Sequence, residues 1–92
     1  MIANFRSKAL ERFWWKAEAR RVNAKHVAKL TVLLSALESA TAPRDMDRPS
    51  FGFHSLMGDR AGRHALSVDR NWRVTFGWDG ADAIEVDYED YH

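Results

Sequence analysis

Residues 71–92, NWRVTFGWDGADAIEVDYEDYH, constrain the fold of this chain more than any other stretch. Trp72, Val74, Phe76 and Trp78 alternate with Asn71, Arg73, Thr75 and Gly77. That is the two-residue period of a strand with one buried face. Asp79-Gly80 supplies a turn, and Ile84, Val86 and Tyr88 alternate with Ala83, Glu85 and Asp87 in a second strand. Parity then limits the hairpin. A two-residue Asp79-Gly80 loop would place Ile84 and Val86 opposite Arg73's row and expose them, because cross-strand partners share a face. A three-residue loop Asp79-Gly80-Ala81, or an equivalent bulge, would pair Phe76 with Ile84, Val74 with Val86 and Trp72 with Tyr88. The expected hairpin therefore carries an apolar face towards the core and a polar face bearing Arg73.

Upstream, residues 2–5 read as a short first strand and Ser7 as a helix N-cap. Leu10, Phe13, Trp14 and Ala17 form one helical stripe, with Trp15 beside it as a partner contact or rim residue. Asn23 caps a second helix over residues 24–40, where Val27, Leu30, Leu34 and Leu37 make the stripe and Val32 and Leu33 widen it. His26, in its first turn, reads as neutral and solvent-facing. Two helices joined by so few residues predict an antiparallel pair. Pro43 and the run TAPRDMDRPS end the helix. Residues 51–56 and 63–68 read as two further strands, separated by the loop Gly58-Asp59-Arg60-Ala61-Gly62. The order predicts an α+β fold: one domain over residues 1–92, with two N-terminal helices packed on one face of a small, mostly antiparallel sheet.

Charge is unevenly spread behind a net value of +1. Residues 1–30 hold eight Lys or Arg against Glu11 and Glu18, whereas residues 79–92 hold six acidic groups and no Lys or Arg. A basic region suits phosphate contact, and equally a solvated helix face. The chain has no cysteine, so no disulfide framework or thiolate metal site exists. No apolar run approaches the roughly 20 residues that span a bilayer, and the charged start does not read as a signal peptide. A cytoplasmic protein that contacts no membrane is expected.

The histidines are His26, His54, His64 and His92, and no pair has metal-ligand spacing on a helix. No cofactor or metal is expected. His, Arg, Tyr and carboxylate are the groups needed to cleave RNA by its own 2′-hydroxyl. A base takes the hydroxyl proton, a cation steadies the phosphorane and an acid protonates the leaving 5′-oxygen. His54, Arg73 and the tail Asp90-Tyr91-His92 supply those types. The residues also allow a plainer reading, with His54 as a surface strand residue and Arg73 as an ion-pair partner of Glu85 or Asp87.

The stretches FHSLMGDRAGRHALSV (53–68), NWRVTF (71–76) and VDYEDYH (86–92) closely resemble the HigB toxins of bacterial toxin–antitoxin pairs, within the RelE/ParE superfamily. The similarity extends to MIANFRSKALERFW and TAPRDM, so it covers essentially the whole chain. It implies a RelE-like β-α-α-β-β-β-β toxin that enters the A site of the small ribosomal subunit and cuts mRNA. It also implies a HigA-like antitoxin with a helix-turn-helix, through which operator DNA is reached only indirectly. By resemblance, His54, Arg73, Asp90, Tyr91 and His92 are the catalytic set, and Arg60, Arg63 and Asn71 are expected to contact RNA. Where many relatives read HPLKGDR this chain has Met57 in the lysine's place. Two other functions fit the same fold: a ParE-like inhibitor of DNA gyrase, and an antitoxin-binding corepressor with weak catalysis.

Overall fold

The computed structural model describes residues 1–91. Two helices, α1 (Lys8–Lys16) and α2 (Val27–Ser39), precede four strands, β1 (His54–Ser55), β2 (His64–Ser67), β3 (Trp72–Asp79) and β4 (Asp82–Asp90). The strands form one antiparallel sheet in chain order. Short hairpin connections bring sequential strands side by side and leave one face for the helices.

Both expected caps form. Ser7 Oγ accepts from the Leu10 amide at 3.1 Å, and Asn23 Oδ1 accepts from that of Lys25 at 2.9 Å. From Asn23 the chain first makes a single 3₁₀ turn, Ala24–His26, before α2 proper begins. Leu30, Leu33, Leu34 and Leu37 are fully buried against Leu66, Val74, Phe76 and Val86 of the sheet. Each such leucine contributes about 1.5–3 kcal/mol by leaving water. Val32 stays 53% exposed, so the apolar stripe is narrower than the sequence suggested.

Ala17 is not part of the α1 stripe. It ends the helix in a left-handed conformation, φ 56°, and is exposed. α1 lies against β4, with Leu10 fully buried in the core. Trp15 is half-exposed and meets Phe5 edge-on at 5.0 Å. Residues 2–5 make two parallel bridges to β4, Ile2 with Ala83 and Phe5 with Val86, rather than a full strand. They nevertheless cover the free edge of β4, with Ala3 and Arg6 amides donating to Ala83 and Val86 carbonyls at 2.8 Å. The strand expected over residues 51–56 shrinks to two residues, since Gly52 at φ 59° interrupts it.

The hairpin reaches its register by a route other than the three-residue loop. Asp79 pairs with Asp82 and Trp78 with Ala83, leaving a two-residue loop of Gly80 and Ala81, with Gly80 at φ 63°. Beyond Gly77, which pairs with Ile84, the ladder shifts, and Thr75 pairs with Asp87 and Val74 with Tyr88. Glu85 and Val86 thus oppose the single residue Phe76, a β-bulge with Glu85 at φ 47°. Ile84 therefore falls on Arg73's face, over Gly77, while Val86 returns to the core. The expected pairs of Phe76 with Ile84, Val74 with Val86 and Trp72 with Tyr88 do not occur. The bulge alternative is what the molecule uses, because it buries Val86 and half-buries Tyr88 beside Val74 while keeping a tight loop.

His26 departs furthest from expectation. It is 3% exposed, lying between Tyr88 and Asp69 rather than facing solvent. Its position at the junction of the 3₁₀ turn and α2 aims the ring at the sheet.

Candidate active site

Strand pairing fixes which residues share the face away from the helices. His54, Ala65, Thr75 and Asp87 form one cross-strand row, and Ser67, Arg73 and Glu89 form the next. From ordinary strand spacings, the Cα atoms of His54 and Arg73 are about 12 Å apart. Two long side chains on one face at that separation can both reach a nucleotide-sized group.

Arg73 is held by backbone oxygens. Its guanidinium donates to the Asp69 carbonyl at 2.7 Å and to the Trp72 carbonyl at 3.0 Å, and its carbon lies 5.2 Å from the centre of the Tyr91 ring. The geometry is a cation–π contact. Neither Glu85 nor Asp87 forms an ion pair with it among the described residues; Glu85 pairs with Arg6 at 3.0 Å. Tyr91 is placed by its own amide, which donates to the Asn71 carbonyl at 2.6 Å. Asn71 thus contributes through its backbone. The Nε atoms of Arg73 and Arg63 are buried without a partner among the described residues.

Arg60 and Arg63 lie on the same face, engaged in a network the sequence reading missed. Arg60 donates to Glu89 Oε2 at 2.6 Å, and that carboxylate also accepts a short hydrogen bond from the buried Thr75 hydroxyl. Arg63 donates to Thr75 Oγ1 at 3.0 Å and to the Glu85 carbonyl at 2.9 Å. Its Nη1 lies across Gly77, where an added Cβ would crowd Ile84 rather than the guanidinium. Burial pushes the Glu89 carboxyl up, but bonds from Arg60 and Thr75 and the charges of Arg60 and Arg63 outweigh it, so the net shift is down. The bond to Glu89 raises Arg60, with a smaller share from the Tyr91 hydroxyl, whereas burial lowers Arg63, helped by Arg6 and Arg60. Both guanidinium groups remain charged at neutral pH. Glu89 was legible in principle: any register that buries Tyr88 puts Glu89 on Arg73's side.

His54 is exposed on β1, and its Nδ1 lies 3.1 Å from the Gly52 carbonyl. With Nδ1–H donating there, Nε2 keeps its lone pair for an incoming proton. Asp90 pairs with Trp72, so alternation directs it to the opposite face from Glu89. His92 lies outside the described residues. The structure therefore brings Arg73, Tyr91 and Arg60 together, with Arg63 and His54 on the same face, and sets Asp90 apart at the strand end. Met57 is 86% exposed, just before the 3₁₀ turn Gly58–Arg60 that carries Arg60. No group of three or more His, Asp or Glu among the described residues is placed to hold a metal ion. Among the described residues no helix is long and apolar enough to cross a membrane.

Residues 3–92 match the family described as the RelE-like toxin of the type II toxin–antitoxin system HigB. The chain is also 36% identical over 92 residues to the endoribonuclease HigB of Proteus vulgaris, an alignment that covers all of both chains.

Proposed function

Since the chain belongs to the HigB-like family of type II toxins, which pair with an antitoxin, we propose that it is an endoribonuclease that cuts mRNA on the ribosome. The observation that carries this reading is the presence of Arg73, Tyr91, Arg60 and His54 on the sheet face opposite α1 and α2. The relative's activity and the type of side chain on this face agree.

The proposed step is in-line attack of a ribose 2′-oxygen on the adjacent phosphorus. A histidine, His54 or His92, takes the 2′-hydroxyl proton. The phosphorane spreads negative charge over its oxygens, and Arg73, already fixed by two carbonyls and a ring, meets that charge with a pre-set cation. The 5′-oxygen leaves with a proton from the other histidine, and a 2′,3′-cyclic phosphate remains. Tyr91 stacks on or orients a base, Asp90 orients a neighbour, and Arg60, Arg63 and Asn71 line the RNA path. The ribosome supplies the alignment of the mRNA, which removes most of the entropic cost of reaching the attacking geometry. The antitoxin is of the HigA-like helix-turn-helix type, and the site of action is the cytoplasm.

The test is purified protein added to translating ribosomes, with primer extension to map cuts. Wild type cleaves and Arg73→Ala does not. Variants of His54 or Arg73 that stay as toxic as wild type would overturn the nuclease reading in favour of another target such as gyrase.

A further inference from the structure

The turn between β2 and β3 is a junction for two of the proposed catalytic residues. The Asp69 carbonyl accepts from Arg73, and the Asn71 carbonyl accepts from the Tyr91 amide. The turn is itself closed by the Asp69 carboxylate, whose Oδ1 accepts from the Asn71 and Trp72 amides, both at 2.9 Å. The other oxygen, Oδ2, lies 2.6 Å from His26 Nε2, and His26 Nδ1 lies 2.5 Å from the Tyr88 hydroxyl. The Asn23 amide donates to that hydroxyl oxygen at 3.3 Å. One arrangement satisfies every donor: Tyr88 O–H donates to Nδ1, and Nε2–H donates to Asp69. Trp72 and Tyr88 enclose the imidazole at ring distances of 5.7 and 5.9 Å.

We infer that His26 and Asp69 are positioning residues, which hold the 69–72 turn against the start of α2 and so set where Arg73 and Tyr91 present themselves to RNA. His26 touches no substrate; it acts through the carboxylate that folds the turn. A buried histidine with a partner on each nitrogen has one orientation, and the turn inherits it. The inference rests on the active-site reading above, since Arg73 and Tyr91 matter only if that face cleaves RNA.

The test combines cleavage with spectroscopy on the full chain. His26→Leu removes both partners, His26→Gln keeps a donor for Asp69, and Asp69→Asn weakens the grip from the other side. On translating ribosomes, His26→Leu lowers kcat about 10–100-fold with KM within about twofold of wild type. His26→Gln recovers most of the loss. In an Arg73→Lys background, His26→Leu costs much less, because the group it positions has gone. Equal losses in both backgrounds, or a change confined to KM, would overturn the inference. The second arm needs no catalysis: in ¹⁵N spectra the Arg73 Nε–H and Tyr91 amide resonances shift in His26→Gln and Asp69→Asn, while the Trp78 indole does not. If wild type fails to cut RNA, the nuclease reading fails and the spectra still decide; unmoved Arg73 and Tyr91 signals in both variants would refute positioning. Should His26→Leu not fold, the two milder variants carry the test.

Discussion

The guanidinium of Arg73 and the ring of Tyr91 face each other at 5.2 Å because two carbonyls of one turn, those of Asp69 and Asn71, hold them from opposite strands. Such a pre-set cation loses little freedom when phosphate arrives. Arg73→Ala is expected to cut the rate of ribosome-bound mRNA cleavage about 10²–10³-fold. Arg73→Lys should restore only a small part, since an ammonium cannot keep both carbonyl bonds and the ring contact while meeting phosphate. Single-turnover primer extension measures both.

Glu89 occupies the centre of the Arg60, Arg63 and Thr75 network and cancels part of its positive charge. Glu89→Gln is expected to lower stability by about 1 kcal/mol, read from urea unfolding. It should also tighten binding of a short RNA, with a steeper dependence on salt because one more cation is available. Asp87→Asn removes the same charge from the same face without touching Arg60, and its effect on RNA binding should be smaller.

Met57 projects into solvent where many relatives carry lysine. Met57→Lys adds an exposed cation three residues before Arg60 without disturbing the core. Cleavage should quicken, and the logarithmic salt slope of RNA binding should grow by about one. Unchanged cleavage would show that this position does not meet phosphate.

Two steps of acid destabilisation are expected. Burial, and then the charge of Arg63, hold His64 below its ordinary 6.5, where it stacks between Phe53 and Phe76. The folded state resists protonation there, so stability falls as pH drops below about 6.5 towards the folded value. The His26 bond, then the Asn71 and Trp72 amides, lower Asp69 from 3.8 to about 2. Its contribution is complete above 3.8 and disappears as pH falls through about 2. Urea midpoints across the range should show both steps, with the first reduced in His64→Gln and the second in Asp69→Asn.

Glu85 sits in the left-handed region at the bulge, which suits glycine. Glu85→Gly gives up an exposed bond to Arg6 but relieves the backbone. A net gain of about 0.5–1 kcal/mol is expected, seen as a rise of a few degrees in Tm. A loss would mean that the side chain, not the backbone, holds the bulge.

Much of the fold could be read from local signals. Ser7 and Asn23 stand at their helix starts because a hydroxyl or amide oxygen next to free amides is a short-range interaction. The strand through Trp72, Val74 and Phe76 follows from alternation alone, and Arg73 and Thr75 fall on the other face by the same parity. The two-residue loop and the compensating bulge were harder to see. Apolar pattern constrains the sum of the two shifts, not where each occurs, and Ile84 could be left outside because Gly77 makes room for it. The position of Ala17 shows a similar limit: a stripe says which residues would share a face, not where the helix stops.

By itself the sequence determined the two helices and the three C-terminal strands, the helix caps, the buried face of β3 and the residue types available for phosphate chemistry, because each depends on neighbours within a few positions. Only the tertiary structure decided that His26 lies between Asp69 and Tyr88, 43 and 62 residues away, and that Glu89 sits among Arg60, Thr75 and Arg63. Those contacts join segments remote along the chain, and no periodicity encodes which polar group will meet which once helix and sheet close on a common core.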